Sequence, residues 1–134
     1  MRIPFIITSA FLLMSCKPPL APLQYQQIIR ISIHPLPRQQ RSNHINTTIS
    51  DKNDIDFIVQ SLSNMKARGF DHSSPDFDLL FETSTSNTLK LRVSDLEVGP
   101  DAPASANNTH WFPSDKAAFR RFYDFLLQKT LTSK

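Results

Sequence analysis

The stretch Asp76 to Val93, DFDLLFETSTSNTLKLRV, decides the fold. Phe77, Leu79 and Phe81 fall on one face of an extended chain. Leu89, Leu91 and Val93 repeat the pattern after a polar break at Ser84 to Thr88. Alternation with a period of two marks a half-buried strand, and two such runs joined by a short polar turn form an antiparallel hairpin. Asp76 and Asp78 alternate with the apolar residues, which assigns both to the solvent face.

Working outward, Gln26 to His34 alternates in the same way, with Ile29, Ile31 and Ile33 on one side. Pro35 and Pro37 end that strand. Arg38 to Asn43 is a polar loop, and Ile45, Thr47 and Ile49 suggest a short returning strand. From Ser50 to Gly69 the period changes. Ile55, Ile58, Val59 and Leu62, continued by Met65 or Lys66, trace the stripe of an amphipathic helix. Ser50 or Asp51 can cap it, Asp54 suits its first turn, Lys66 and Arg68 suit its last, and Gly69 stops it. On the other side of the hairpin, Asp95 to Thr109 is a long loop, with a possible strand continuation through Leu96 and Val98. His110 to Phe112 is a last short strand. Pro113-Ser114-Asp115 then opens a second helix, with Ser114 as the cap and Phe119, Phe122, Tyr123 and Leu126 as its buried stripe. The expected architecture is α+β: an antiparallel sheet of about four to five strands with two amphipathic helices on one face, forming a single domain over 25–134.

Composition narrows the function classes. The 134 residues suffice for one domain, and 40% hydrophobic content with ten phenylalanines is enough for a modest core. Fifteen Lys and Arg against twelve Asp and Glu leave a formal charge of +3, spread without a basic run. No nucleic-acid partner is expected from such a distribution. The two glycines, Gly69 and Gly99, have no glycine neighbour, which argues against a Gly-rich phosphate loop.

The amino terminus carries a different signal. Met1-Arg2 precedes the uncharged run Ile3 to Met14, IPFIITSAFLLM, which is too short to cross a bilayer as a helix of about 20 residues. A positive start, a short apolar run and a small residue before a break form the pattern of a secretory signal peptide. Cys16, the lone cysteine, stands at the end of this run, so the rest of the chain can form no disulfide.

Leu13-Met14-Ser15-Cys16 resembles the lipobox of bacterial lipoproteins. The resemblance covers residues 1 to 16. It implies cleavage between Ser15 and Cys16, a diacylglyceryl group on the Cys16 sulfur, and acylation (palmitate) of the new amino group. Residues 1–15 are then a signal peptide that is removed, and 16–24 a lipidated cysteine with a Pro-rich spacer extended at about 3.1 Å per residue. In proteobacterial members a residue other than Asp after the cysteine accompanies export to the outer membrane, as Lys17 does here. The resemblance therefore implies an anchored protein of the cell envelope, most simply at the outer membrane facing the periplasm. Thr47 to Lys66 also resembles the strand-to-helix opening of small uncharacterised domains on bacterial lipoproteins, a similarity that implies no activity.

No catalytic set assembles in the sequence. The histidines at 34, 44, 72 and 110 lack the i, i+4 spacing that places two imidazoles on one helix face for zinc. Asp71, His72, Asp76 and Asp78 are the nearest approach to a metal site, and a solvated polar edge is the plainer explanation. No serine has a Gly-x-Ser-x-Gly context, and Glu82 and Glu97 cannot be set across a cleft by sequence alone. Arg120 and Arg121, near the polar side of the last helix, could meet an acidic partner or lipid headgroups, and a solvated helix face is the plainer reading. His110, Trp111 and Phe112, after the long loop, are the candidate partner-binding residues. Trp111 is either a strand residue closing the core or an interface anchor, with the balance toward partly core. The expectation is a non-catalytic, cofactor-free binding or structural module that meets another envelope protein, of the assembly-factor, inhibitor or immunity type. The alternative is a cell-wall-directed enzyme or a metal-dependent binder gathering His72, Asp76 and Asp78.

Overall fold

The computed structural model describes residues 18–23, 26–68, 75–100 and 110–131. The hairpin forms as its alternation requires. β4 (Phe77–Thr83) and β5 (Thr88–Val93) pair antiparallel with Phe77 opposite Val93 and Leu79 opposite Leu91. Ser86, with φ of 68°, takes the left-handed position of the turn.

β1 (Ile28–Pro35) pairs on the other side of β4, and β2 (Thr47–Ile49) pairs with β1. The register of β1 shifts between Ile28 and Arg30. That bulge moves Ile29 off the inward row, so Ile31 and Ile33 are fully buried while Ile29 stays 40% exposed. The loop after β1 contains a short helix, α1 (Pro37–Gln40), opened by Pro37 in the first helical turn. α2 (Lys52–Ser63) is capped by Asp51, whose side chain accepts the Asp54 amide at 3.1 Å.

With β3 (Met65–Arg68), β6 (Val98–Pro100) and β7 (His110–Pro113), the sheet among the described residues holds seven strands rather than four to five, in the order β2-β1-β4-β5-β6-β7-β3, every pair antiparallel. The two additions are β3 and β6. Residues 65–68 were expected in the last turn of a helix reaching Gly69. Instead α2 stops at Ser63, and Met65–Arg68 lies antiparallel to β7 (His110–Pro113). Strand pairing with a distant segment outweighs the helix propensity of Met, Lys, Ala and Arg. Gly69 lies outside the described residues.

α3 (Lys116–Thr130) begins after Asp115, whose carboxylate accepts the amides of Ala117 and Ala118. Ser114 is therefore not the cap. Its hydroxyl instead donates to the Asn64 carbonyl at 2.8 Å, joining the start of α3 to the end of α2. At the far ends Lys129 pairs with Asp54 at 3.0 Å, and midway the rings of Phe57 and Phe125 lie 4.9 Å apart. The two helices are thus antiparallel neighbours, both resting on β1. Ile55, Ile58, Leu62, Phe119, Phe122, Tyr123 and Leu126 share one core with the inward residues of β1, β4 and β5. The inward stripes are those set by the helical and strand periods.

The stretch expected to be an extended spacer is also part of this body. Among residues 18–23, Ala21–Leu23 form a 3-10 turn, Leu23 is 3% exposed within the core, and Leu20 packs against it. Among the described residues, packing on the core therefore includes Leu20 and Leu23, ahead of residue 25. The cause is apolar: Leu20 and Leu23 bury side chains that an extended tether would leave in water. Gln26 then fixes the approach to β1, its side-chain carbonyl accepting bonds from Thr83, Thr85 and Asn87 at the β4–β5 turn. The signal segment and Cys16 lie outside the described residues. Among the described residues, no helix is long and apolar enough to cross a membrane.

Candidate functional site

Asp76 and Asp78 are not on a solvated face. Asp76 is fully buried and Asp78 is 8% exposed. Each has basic or hydroxyl partners brought from distant sequence. The Tyr123 hydroxyl donates to Asp76 Oδ2 at 2.6 Å, and Arg38 Nη2 lies 2.8 Å from Oδ1. The Arg38 contact is an ion pair without hydrogen-bond alignment, made by a side chain 58% exposed. Burial, then the hydrogen bond to Asp76 and its charge, hold the Tyr123 phenol well above the usual tyrosine pKa. Asp78 stands opposite Arg92 in the β4–β5 register, 3.2 Å from its Nε.

A third buried acid, Glu97, lies 2.9 Å from Nδ1 of His110. The His110 ring lies so close to Gly99 that a Cβ there would be 2.8 Å from two ring atoms. The absent side chain of Gly99 is what lets the imidazole reach Glu97. His110, a candidate partner-binding residue, is thereby committed to an internal contact.

These pairings bear on the metal-dependent alternative. Asp71 and His72 lie outside the described residues. Asp76 and Asp78 are each engaged by an arginine, and among the described residues no group of three or more His, Cys, Asp or Glu could hold a metal ion. The geometry of Asp76 and Asp78 is that of structural ion pairs: Tyr123 hydrogen-bonds one oxygen of Asp76, while Asp76 Oδ1 and Asp78 Oδ1 are met by arginine charge without an aligned hydrogen bond.

Of the other two candidate residues, Trp111 sits opposite Val98 where β6 meets β7, half-buried against the core. Phe112 instead lines an open cleft of about 330 Å³ together with Asp95, Leu96, Pro113, Lys116, Phe119 and Arg120. Leu96 is the most exposed large apolar residue described, at 59%. A local device holds it there. The Ser94 hydroxyl accepts the amides of Leu96 and Glu97, and the Ser94 amide donates to the Glu97 carbonyl. This tight turn turns Glu97 inward and Leu96 outward. Lys116 and Arg120, one helical turn apart on α3, line the cleft together with Asp95; Arg120 pairs with Asp124 at 3.2 Å and lies over the Tyr123 ring at 5.3 Å, which leaves Lys116 as the outward charge.

Sequence reasoning reached Phe112 but missed Leu96, Lys116 and Arg120 as its company. The available signal was a leucine between two acids, Asp95-Leu96-Glu97, which the alternation with Val98 assigns to a strand continuation instead of a turn. Comparison with protein family models, with curated proteins and with solved structures finds no match.

Proposed function

We propose that the chain is a lipid-anchored protein of the cell envelope whose domain is a non-catalytic binding module. Cys16, at the end of the apolar run, receives the lipid, and the protein acts at the outer membrane facing the periplasm. The partner is another envelope protein, of the assembly-factor, inhibitor or immunity type. The observation that carries the binding reading is the cleft at Leu96 and Phe112, where an apolar side chain is held in water by a dedicated turn. An exposed leucine beside an aromatic wall is the composition of an interface anchor. The adjoining Lys116, exposed at the cleft, favours a partner that brings an apolar side chain flanked by carboxylate.

Two measurements test this. Labelled fatty acid should enter the native chain and fail to enter the Cys16→Ala chain. A photo-crosslinking residue at position 96, in cells, should give a discrete adduct with one envelope protein. The same residue at position 45, where Ile45 is 53% exposed, should not. Phe112→Ala should weaken the adducted complex at least about fivefold, corresponding to roughly 1 kcal/mol, without lowering the melting temperature in proportion. Equal adducts from positions 96 and 45 refute the cleft as the binding surface.

A further inference from the structure

A second concave surface lies on the other side of the domain, beside the first described residues. It is a groove of about 480 Å³ whose apolar wall is Leu20, Leu23, Ile28, Ile29, Ile55 and Val59. Lys52, at its rim, is largely exposed and pairs with Asp56. The β1 bulge is what presents Ile29 here; on a regular strand it would share the inward row of Ile31 and Ile33.

We infer that this groove-bearing face lies against the bilayer surface into which the lipid on Cys16 inserts, an inference that rests on the anchor reading above. The argument is one of chain length. Pro18 opens the turn that carries Leu20 and Leu23 onto the core, its carbonyl accepting the Ala21 amide at 3.1 Å, and Cys16 precedes it by two residues. Two residues span at most about 7 Å, so an acylated Cys16 cannot hold the domain away from the headgroups. The surface around Pro18 must then meet the interface. That surface is the groove, since Leu20 and Leu23, two and five residues after Pro18, both stand in the groove wall.

The chemistry suits that position. An exposed isoleucine and a half-buried leucine and valine offer apolar area to the headgroup–acyl boundary, while Lys52 places an ammonium at headgroup depth. Docking needs little intrinsic affinity, because the covalent lipid makes it intramolecular and supplies a high effective concentration.

The test uses the lipidated full protein in vesicles of phosphatidylethanolamine and phosphatidylglycerol. Ile29→Cys introduces a thiol on the groove, and Leu96→Cys introduces one on the partner cleft. Each is labelled with a bulky, membrane-impermeant maleimide, and the rate is compared with that of the same substitution in the soluble Cys16→Ala chain. The Ile29→Cys thiol should label about tenfold more slowly on vesicles than in solution, as when the face is covered about nine-tenths of the time. The Leu96→Cys thiol should label equally in both. Equal rates at position 29 in a chain that mass spectrometry shows to be acylated overturn the docking and leave the anchor standing. An unacylated Cys16 overturns both. Slow labelling at position 29 in the soluble chain that deepens with protein concentration overturns the membrane assignment in favour of a second copy on this face.

Discussion

Tyr123 and Asp76 provide the sharpest test of how the domain is held together. The Tyr123 hydroxyl, on α3, reaches a fully buried carboxylate just before β4, and its ring also packs edge-on against Phe77 with centroids 5.8 Å apart. Tyr123→Phe keeps the ring and deletes the donor. A hydrogen bond to a charged group contributes about 1.5–3 kcal/mol, and Tyr123→Phe leaves the carboxylate buried with less compensation. Arg38, the other partner, has a side chain 58% exposed and makes no aligned hydrogen bond, so Arg38→Ala should cost only about 0–1 kcal/mol. Thermal melts at pH 7 should therefore show Tyr123→Phe falling by roughly 6–12 °C, at about 4 °C per kcal/mol for a domain of this size, and Arg38→Ala by much less.

The pH dependence supplies an independent reading of the same bond. The phenol in the folded protein holds its proton well above the ordinary tyrosine value, because ionisation is opposed by burial and by Asp76. In the unfolded chain it ionises near pH 10. The unfolded state therefore loses the proton first, and the stabilisation is intact below about pH 10 and declines as pH rises further. The stability gap between native protein and Tyr123→Phe should narrow above that pH in denaturant titrations. If Arg38→Ala costs as much as Tyr123→Phe, or if the gap is flat through pH 11, the phenol is not what compensates Asp76.

Other consequences follow from single contacts. Leu62→Ala, at a fully buried site on α2, should lose about 2–5 kcal/mol in urea unfolding, while Asn64→Ala should lose little because its bond to Ser114 uses the backbone carbonyl. Gly99→Ala should cost about 1–3 kcal/mol, since the added methyl displaces the His110 ring from Glu97; a neutral result in calorimetry would show that the ring moves freely. Trp111→Ala should destabilise by about 1–3 kcal/mol through lost packing against Val98 and the core, less than for a fully buried tryptophan. Adduct formation from position 96 should then fall only as the folded fraction falls.

The hairpin, the α2 stripe and the α3 stripe were legible because burial on one face leaves a period in the sequence, and those periods match the buried residues. Three features left no such trace. Residues 65–68 have good helix propensity, and only β7, more than 40 positions later, makes them a strand. The acids at 76 and 78 alternate correctly, yet alternation says nothing about what covers the second face. Arg38, Arg92 and Tyr123 supply their partners from elsewhere in the chain. The cleft joins a turn, a strand end and the first turns of α3, so only Phe112 stood out in advance. The prolines of residues 18–22 suggested an extended tether. Leu20 and Leu23, spaced three apart, were the clue that this stretch turns back onto a core.

The antiparallel helix pair connects the two surfaces on which the proposed function depends. The groove takes Ser50 from just before α2 and Lys52, Ile55, Asp56 and Val59 from its amino-terminal part, and α2 ends at Ser63, next to Asn64, whose carbonyl accepts from Ser114 beside the cleft. Twelve helical residues span about 18 Å, so the groove and the cleft lie toward opposite ends of the pair. α3 runs back along the same path, from Lys116 at the cleft to Lys129, which pairs with Asp54 near the groove. With the groove against the bilayer, the Leu96–Phe112 cleft faces away from it, at a height set by a rigid helix pair instead of by a flexible spacer. A partner seated in the cleft would then be held within about two helix lengths of the membrane and in one orientation. The short link from Cys16 to Pro18 is what makes that orientation fixed: insertion of a flexible Gly-Ser segment between them should release position 29 to full labelling while leaving capture at position 96 intact.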